Sequence, residues 1–544
     1  MTNSTTPSEV YEENGKAGQA LSGREIALAT LIVMASFVLS GVLGLVRQIV
    51  LASTFGAGRD LDAFYAALRL PETLFVLVAG GALGSAFIPV FSTFLNKDDI
   101  QGAWRLASAA LTFVTIAASL SAIVGFIFAT PLVENLLLPE ASHATQALTV
   151  ELMRIMLVTV VIFGLSGLLM AILNAHQHFV GPALAPSMYN IGIIFGAIFL
   201  TPSLDIRGLA WGAVIGAGLH LAVQIPVLLR LPNFHLQILP NLQVPGVGEV
   251  LKLMGPRLIG LMVVQVNFWV NIALASAMDS GSITALQTSF ALMFTVLGVL
   301  GQSVGTAVFP SLSALYAQKD EAGFQRTFNN ALANVLFLSI PAGLGMMILS
   351  APMVRVLFER GEWTSADTSA TAWALVFYAV GLMGHAALEI LARTYYALHD
   401  TWTPVIVGGV AMLLNVVFSL LFVQIFESLG ADTFSHGPYA GLAFANSLAT
   451  ALESLTLWLW LRRKIPALNP RPVLQTASRT GLAAFGMVAF VYVWLKMGDG
   501  FPALIQLVGG MVVGAGSFFA LAVGLKVKEA SHLPHMVMAR FGKA

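Results

Sequence analysis

The feature that most constrains this chain is a series of apolar stretches, each about 20 residues long, repeated from one end to the other and parted by short polar clusters; that is the length an α-helix needs to cross the hydrocarbon core of a bilayer. Composition agrees. Of 544 residues, 57% are hydrophobic and 10% are charged, with a mean hydropathy of +0.83. A soluble domain carries roughly 25% charged residues. The expected fold is therefore an all-α polytopic membrane protein. Apolar runs set against polar breaks predict fourteen transmembrane helices at 25–50, 61–92, 104–130, 148–175, 183–201, 207–230, 250–277, 283–313, 327–350, 368–397, 402–426, 437–462, 476–496 and 502–525.

An even number of spans puts both termini on one side, and the distribution of Lys and Arg decides which. Of the 27 basic residues, nineteen fall in the tails and alternate loops assigned to the cytoplasm and five in the opposite loops. The three left within spans are Arg47, Arg69 and Arg154. Both termini are expected in the cytoplasm. Residues 1–24 are polar and mildly acidic, without the basic flank and cleavage site of a signal peptide, and are expected to form a disordered tail.

Two landmarks recur at nearly one offset. "FIPVFSTFLNKDD" (87–99) returns in character as "VFPSLSALYAQKD" (308–320), with Pro89 and Pro310 separated by 221 positions. "ILNAHQHFVGP" (172–182) returns as "TYYALHDTWTP" (394–404), with Pro182 and Pro404 separated by 222. This indicates a duplicated unit of six helices, both copies entering the membrane the same way round, the plan of many alternating-access carriers. The expected organisation is an N-lobe at 25–230, a cytoplasmic linker at 231–249, a C-lobe at 250–462, a loop at 463–475, two extra helices within 476–525 and a tail at 526–544.

Several chemistries are excluded. Zero formal net charge and the lack of a basic domain argue against a nucleic-acid partner. With no cysteine there are no disulfides and no thiolate chemistry. No Walker-type phosphate loop, His-Glu-x-x-His or Gly-x-Ser-x-Gly occurs. The chain reads as a carrier or channel rather than an enzyme.

Charged groups inside spans then carry the functional information, because a charge near the bilayer centre costs at least ~2.5–3.5 kcal/mol and is tolerated facing a bundle interior or a wet cavity. Arg47 is a cavity candidate, with snorkelling to the interface as the alternative. Asp62 and Arg69 are seven residues apart on one helix face, with Glu72 three further on; they are either substrate groups or an ion-pair set bracing the first two helices. In the seventh span, Asn267 and Asn271 share a face for interhelical hydrogen bonding or for lining a path. Arg257 is either an anchor or an anion ligand. Glu389 and Arg393 read as a structural ion pair. Guanidinium groups suit phosphate, so the residues point to a two-lobed carrier for an anionic solute.

The stretches "LGLVRQIVLASTFGAGRDLDAFYAALRLP", "AILNAHQHFVGPALAPSMYNIG", "GLAWGAVIGAGLHLAVQIP" and "LFERGEWTSADTSATAWALVFYAVGL", followed by "RTYYALHDTWTPV", resemble the MurJ (MviN) family of lipid II flippases, within the multidrug/oligosaccharidyl-lipid/polysaccharide exporter superfamily. The resemblance runs from about residue 30 to about 460. It implies two six-helix lobes, a lipid-tail groove formed by the last two helices, and translocation of undecaprenyl-linked peptidoglycan precursor to the outer leaflet of the bacterial cytoplasmic membrane. Implied partners are that lipid and, by extension, cell-wall synthesis enzymes. No cofactor is implied, and a sodium gradient or the membrane potential would drive the cycle. Arg47 matches the family's cavity arginine, Asp62 its acidic residue and Arg69 its basic residue before Leu-Pro. Gly41, Phe75, Gly80 and the pair Phe290–Ala291 stand where the family carries charged or polar groups, and Asn415 and Ser419 stand at a sodium-binding pair. Those departures keep open a paralogue for another polyprenyl-linked saccharide, a drug exporter or a non-transporting scaffold.

Overall fold

The structure, a computed structural model, describes residues 23–78, 81–465 and 468–530, and all regular structure among them is helical. Eleven of these helices are long and apolar enough to cross a membrane, and the pair Ser365–Val380 and Leu382–Ala397, bent by 44°, brings the number to twelve. The two other expected spans are helical as well. The stretch 61–92 falls on two helices, Arg59–Val78 and Gly81–Asn96, and 250–277 falls on Val247–Ala275, whose apolar part is Val264–Ala275. This is a multi-pass membrane protein. Most of the two tails lies outside the described residues.

The chain separates into two compact units. The first comprises Met1–Val50, Ala67–Pro131 and Ala147–Met262; the second comprises Leu51–Ala66, Leu132–Gln146 and Val263–Ala544. In the first unit a core of Phe87, Phe91, Trp104, Leu168, Ile172 and Leu173 joins Gly81–Asn96, Ile100–Ile127 and Val158–Ala175. The linker runs over this core without regular structure. Its amides at Gln237 and Leu239 donate to Ser108 Oγ (3.2 Å) and Thr112 Oγ1 (2.9 Å), so hydroxyls on a helix satisfy backbone groups that have no strand partner.

Helices Val180–Phe195 and Arg207–Ala222 pack through glycines at four-residue spacing: Gly192 and Gly196 against Gly208, Gly212 and Gly216. A Cβ on Gly212 would lie 2.8 Å from Gly196 Cα, so the backbones approach as closely as hydrogen-only side chains allow. In the second unit the last two helices, Arg471–Met497 and Ala503–Gly524, pack on each other and on Glu321–Ile348 through Phe337, Met487, Val491 and Phe518. Their outer faces expose Leu482, Phe485, Phe490, Met511 and Val512.

The duplication is visible in local geometry. Helices Ile100–Ile127 and Glu321–Ile348 both have 28 residues. Asp99 caps the first by accepting from Gly102 N at 2.8 Å, and Asp320 caps the second by accepting from Gly323 N at 2.8 Å. Each cap follows a residue of positive φ, Asp98 at 54° and Lys319 at 57°. The second landmark behaves likewise, with Gln177 at 62° and His399 at 58°. Equivalent helices also pair: Gly81–Asn96 packs on Val158–Ala175, and Ser303–Ala317 on Leu382–Ala397.

Candidate functional site

Three groups of polar side chains lie within the apolar helices, and the two units hold different kinds. In the first unit, Arg69 is 9% exposed and donates through Nη1 to Glu72 Oε2 at 3.1 Å. Glu72 is half exposed. Arg47 and Glu72 both lie within electrostatic reach of the Tyr189 hydroxyl, which places the two arginines in one neighbourhood. Tyr189 continues into an aromatic row, packing edge-on against Phe163 at 5.1 Å, with Phe163 on Phe75 at 5.0 Å. Phe75 thus fills with hydrocarbon a place where the resemblance implied charge. Gly41 is exposed with open space around it. Gly80 and the Arg257 side chain lie outside the described residues.

Asp62 does not pair with Arg69. Its segment, Leu51–Ala66, belongs to the second unit, and its carboxylate is spent on the start of helix Ser282–Leu297. Oδ2 accepts from Gly281 N at 2.6 Å, and Oδ1 accepts from Thr284 N and Thr284 Oγ1, both at 2.7 Å. Those amides are the N-cap and third positions of the helix, the two that a capping box normally satisfies from within. Gly281 has no side chain to do so, and it sits at φ +99°, where a Cβ would lie 2.7 Å from the Phe434 ring. A carboxylate from far along the chain takes over the capping, at the end of the helix dipole that favours negative charge. The same segment is held a second time where Glu362 N donates to Ser53 O at 2.9 Å. The seven-residue spacing of Asp62 and Arg69 is correct for a shared helix face, yet the two side chains serve different partners.

The third group is neutral. Asn271 Nδ2 donates to Asn267 Oδ1 (3.2 Å), and Ser419 Oγ lies 3.2 Å from Asn415 Oδ1 and 3.4 Å from Asn271 Oδ1. Asn415 and Ser419 are almost fully buried. Sequence spacing predicted the pair Asn267–Asn271, and the resemblance implied Asn415–Ser419; the fold joins them. The cluster offers amide and hydroxyl oxygens, already bonded to one another, and no carboxylate. A sodium ion entering it would lose its water to neutral dipoles alone, so these residues fit a cation site poorly. Among the described residues no group of three or more His, Asp or Glu could hold a metal.

Glu389 and Arg393 form the expected ion pair, and Arg393 also donates to Glu389 O (2.9 Å) and Thr306 Oγ1 (3.4 Å). Arg154 turns back to Phe126 O and lies over the Phe126 ring at 5.0 Å. The corners that follow the second landmark in each copy are built differently. In the first, His176 Nδ1 donates to Ile172 O at 2.9 Å and the ring stacks on Trp104 at 5.9 Å; burial holds its pKa below the ordinary 6.5. In the second, burial pushes the Asp400 carboxyl up, but Lys464 and the hydroxyl and amide of Thr403 more than offset it and carry the pKa down to about 2.

Comparison with known proteins bears on this arrangement. The sequence model of a family described as lipid II flippase MurJ matches residues 51–501. A probable lipid II flippase MurJ of Vibrio cholerae is 32% identical over 522 residues, covering 92% of this chain and 96% of the relative. A lipid II flippase MurJ of Burkholderia cenocepacia is 30% identical over 444 residues, covering 80% and 84%. Among solved structures, a lipid II flippase MurJ in an inward closed conformation matches with a TM-score of 0.75 at 26% identity, over 91% of this chain and 99% of that one. An inward-facing multidrug transporter of the MATE family matches at 0.63 with 15% identity, over 79% and 95%, which shows a shared fold.

Proposed function

The chain belongs to the MurJ family of lipid II flippases, and we propose from that membership that it moves lipid II, the undecaprenyl-diphosphate-linked peptidoglycan precursor, from the inner to the outer leaflet of the bacterial cytoplasmic membrane by alternating access. It is a transporter rather than an enzyme. The observation that carries the reading is a guanidinium, Arg69, buried to 9% exposure in a helix of a multi-pass protein and paired with a half-exposed carboxylate. A guanidinium at that depth in an apolar helix is matched in shape and charge to a phosphate. Arg69 and Arg47 grip the diphosphate, and the apolar outer faces of the last two helices receive the prenyl chain.

Asp62 serves the scaffold by fixing the start of helix Ser282–Leu297. Both termini face the cytoplasm, in keeping with the bias of Lys and Arg. The neutral character of the Asn271–Asn415–Ser419 cluster favours the membrane potential over a bound sodium ion as the driving force. A lipid-linked substrate that crosses with its negative charge responds to that field directly.

The test is rescue of cells depleted of their own flippase, together with leaflet exchange of a labelled lipid-linked precursor in vesicles. Arg47→Ala and Arg69→Ala are expected to abolish both, whereas Ile238→Ala, on the exposed linker, retains both. Full rescue by each arginine variant sinks the assignment of the anion site.

A further inference from the structure

The offset of 221 that relates the two copies places Phe268 at the position of Arg47 and Phe290 at the position of Arg69. The second unit brings these two rings together. Their centroids are 6.1 Å apart at 77°, and Phe290 continues to Phe294 (5.6 Å, stacked) and Tyr378 (5.3 Å, edge-on). Where the first copy carries two cations, the second therefore carries a continuous aromatic surface.

Its surroundings distinguish this surface from a lipid-facing one. Phe294 is 43% exposed, and the exposed positions that follow it along Ser282–Leu297 and Ser303–Ala317 include Thr295, Ser303 and Thr306, alongside Val299. Thr295 Oγ1 donates to Ala291 O at 2.8 Å, and Thr306 Oγ1 donates to Gln302 O at 2.8 Å. Each hydroxyl spends its proton on its own helix and keeps acceptor capacity outward. The Glu389–Arg393 pair adjoins this row at Thr306. On the neighbouring helix, Asn267 is 5% exposed and its Nδ2 has no hydrogen-bond partner. An exposed ring with the Thr295 acceptor next to it, on a helix whose exposed positions go on to Ser303, suits a ligand that has C–H faces and a rim of hydroxyl groups. Acyl chains would leave the hydroxyl row unmatched, and a diphosphate would find no cation among Phe268, Phe290 and Phe294.

We infer that the aromatic surface Phe268–Phe290–Phe294 is a saccharide platform, stacking on the pyranose rings of the lipid-linked precursor and conferring selectivity for its sugar portion. The inference rests on the flippase reading above.

The experiment measures binding of two lipids to the purified full-length protein: polyprenyl diphosphate bearing the peptidoglycan disaccharide, and the same polyprenyl diphosphate without sugar. Phe290→Leu keeps apolar volume and removes the ring. It is expected to weaken the sugar-bearing lipid by about tenfold, the scale of one aromatic contact, while leaving the sugar-free lipid unchanged. Phe290→Trp is expected to preserve both. Equal weakening of the two lipids, or no weakening of either, overturns the platform. Phe294→Leu, at an exposed ring, carries the same test should Phe290→Leu fail to fold. If the unaltered protein binds neither lipid, the flippase reading fails instead, and the two failures are thereby separated.

Discussion

The two copies of the repeat agree at their turns and caps and differ at the charged positions of their first helices. At 98–102 and 319–323 the agreement extends to single atoms: an aspartate cap, a glycine amide at 2.8 Å and a preceding residue near φ +55°. At 47 and 69 against 268 and 290, arginine is set against phenylalanine. The helix pairs that close each copy differ as well. Val180–Phe195 and Arg207–Ala222 meet through glycines, whereas Trp402–Ser428 and Tyr439–Lys464 meet through Phe418, Phe422 and Phe444, with Gly441 alone held tight against Phe422. Turns and caps fix chain direction, which both copies need. The cavity-facing chemistry is free to specialise, and a substrate with one charged end and one sugar end rewards specialisation.

Exchanging the chemistry of the copies is the strongest way to break this comparison. Arg69→Phe makes the first copy like the second and is expected to lower binding of polyprenyl diphosphate by about ten- to a hundredfold, the range of a lost charge-assisted contact. A titration with the sugar-free lipid measures it. Next comes the long-range cap. Asp62→Ala strands two helix-start amides and a hydroxyl, at a cost of about 3 kcal/mol to folding. The midpoint of thermal unfolding in detergent should drop, and Asp62→Asn, which keeps one acceptor oxygen, should fall between Asp62→Ala and the unaltered chain.

Gly212→Ala tests the claim that the first copy depends on bare backbone contact. About 1–3 kcal/mol of destabilisation is expected from overpacking against Gly196, read as a lower midpoint of thermal unfolding in detergent. The scaffold comparison predicts equality. Asp99→Ala and Asp320→Ala should each cost about 1 kcal/mol and add without coupling; unequal values would show that the matching caps bear unequal loads. The smallest effect is the pH response of the two corners. His176 has a folded pKa below its ordinary 6.5, so its contribution is complete above that value and declines as pH falls further. Asp400, depressed from 3.8 to about 2, contributes fully above 3.8 and is lost only as pH falls through about 2. Amide exchange at pH 5 should therefore quicken around residue 176 and not around residue 400.

Much of this architecture is legible in the sequence. Apolar length predicts the spans because bilayer thickness dictates it, and the offset of Pro89 and Pro182 from Pro310 and Pro404 exposes the duplication. Charged groups within spans, Arg47 and Arg69, stand out against hydrocarbon, and i, i+4 spacing finds Glu389–Arg393 and Asn267–Asn271. Long-range partners are not legible. Asp62 reads as a mate for Arg69 because helical periodicity sees neighbours along one helix, while its true partners, Gly281 and Thr284, come from the equivalent helix of the other copy. The repeat offset of 221 comes close to that signal, since it sets Asp62 opposite Ile283, one residue from Thr284. Likewise, the join between Asn271 and Ser419 depends on two helices packing, and the Gly208-x3-Gly212-x3-Gly216 pattern marks a close contact without naming the opposite face.

The single carboxylate that caps helix Ser282–Leu297 has a kinetic consequence. Its two oxygens serve three donors at once, so a partial withdrawal strips several bonds before water can reach any of them. Loosening of this helix start is then abrupt, with a threshold set by hydrating one acid, and half-capped states should be too short-lived to accumulate.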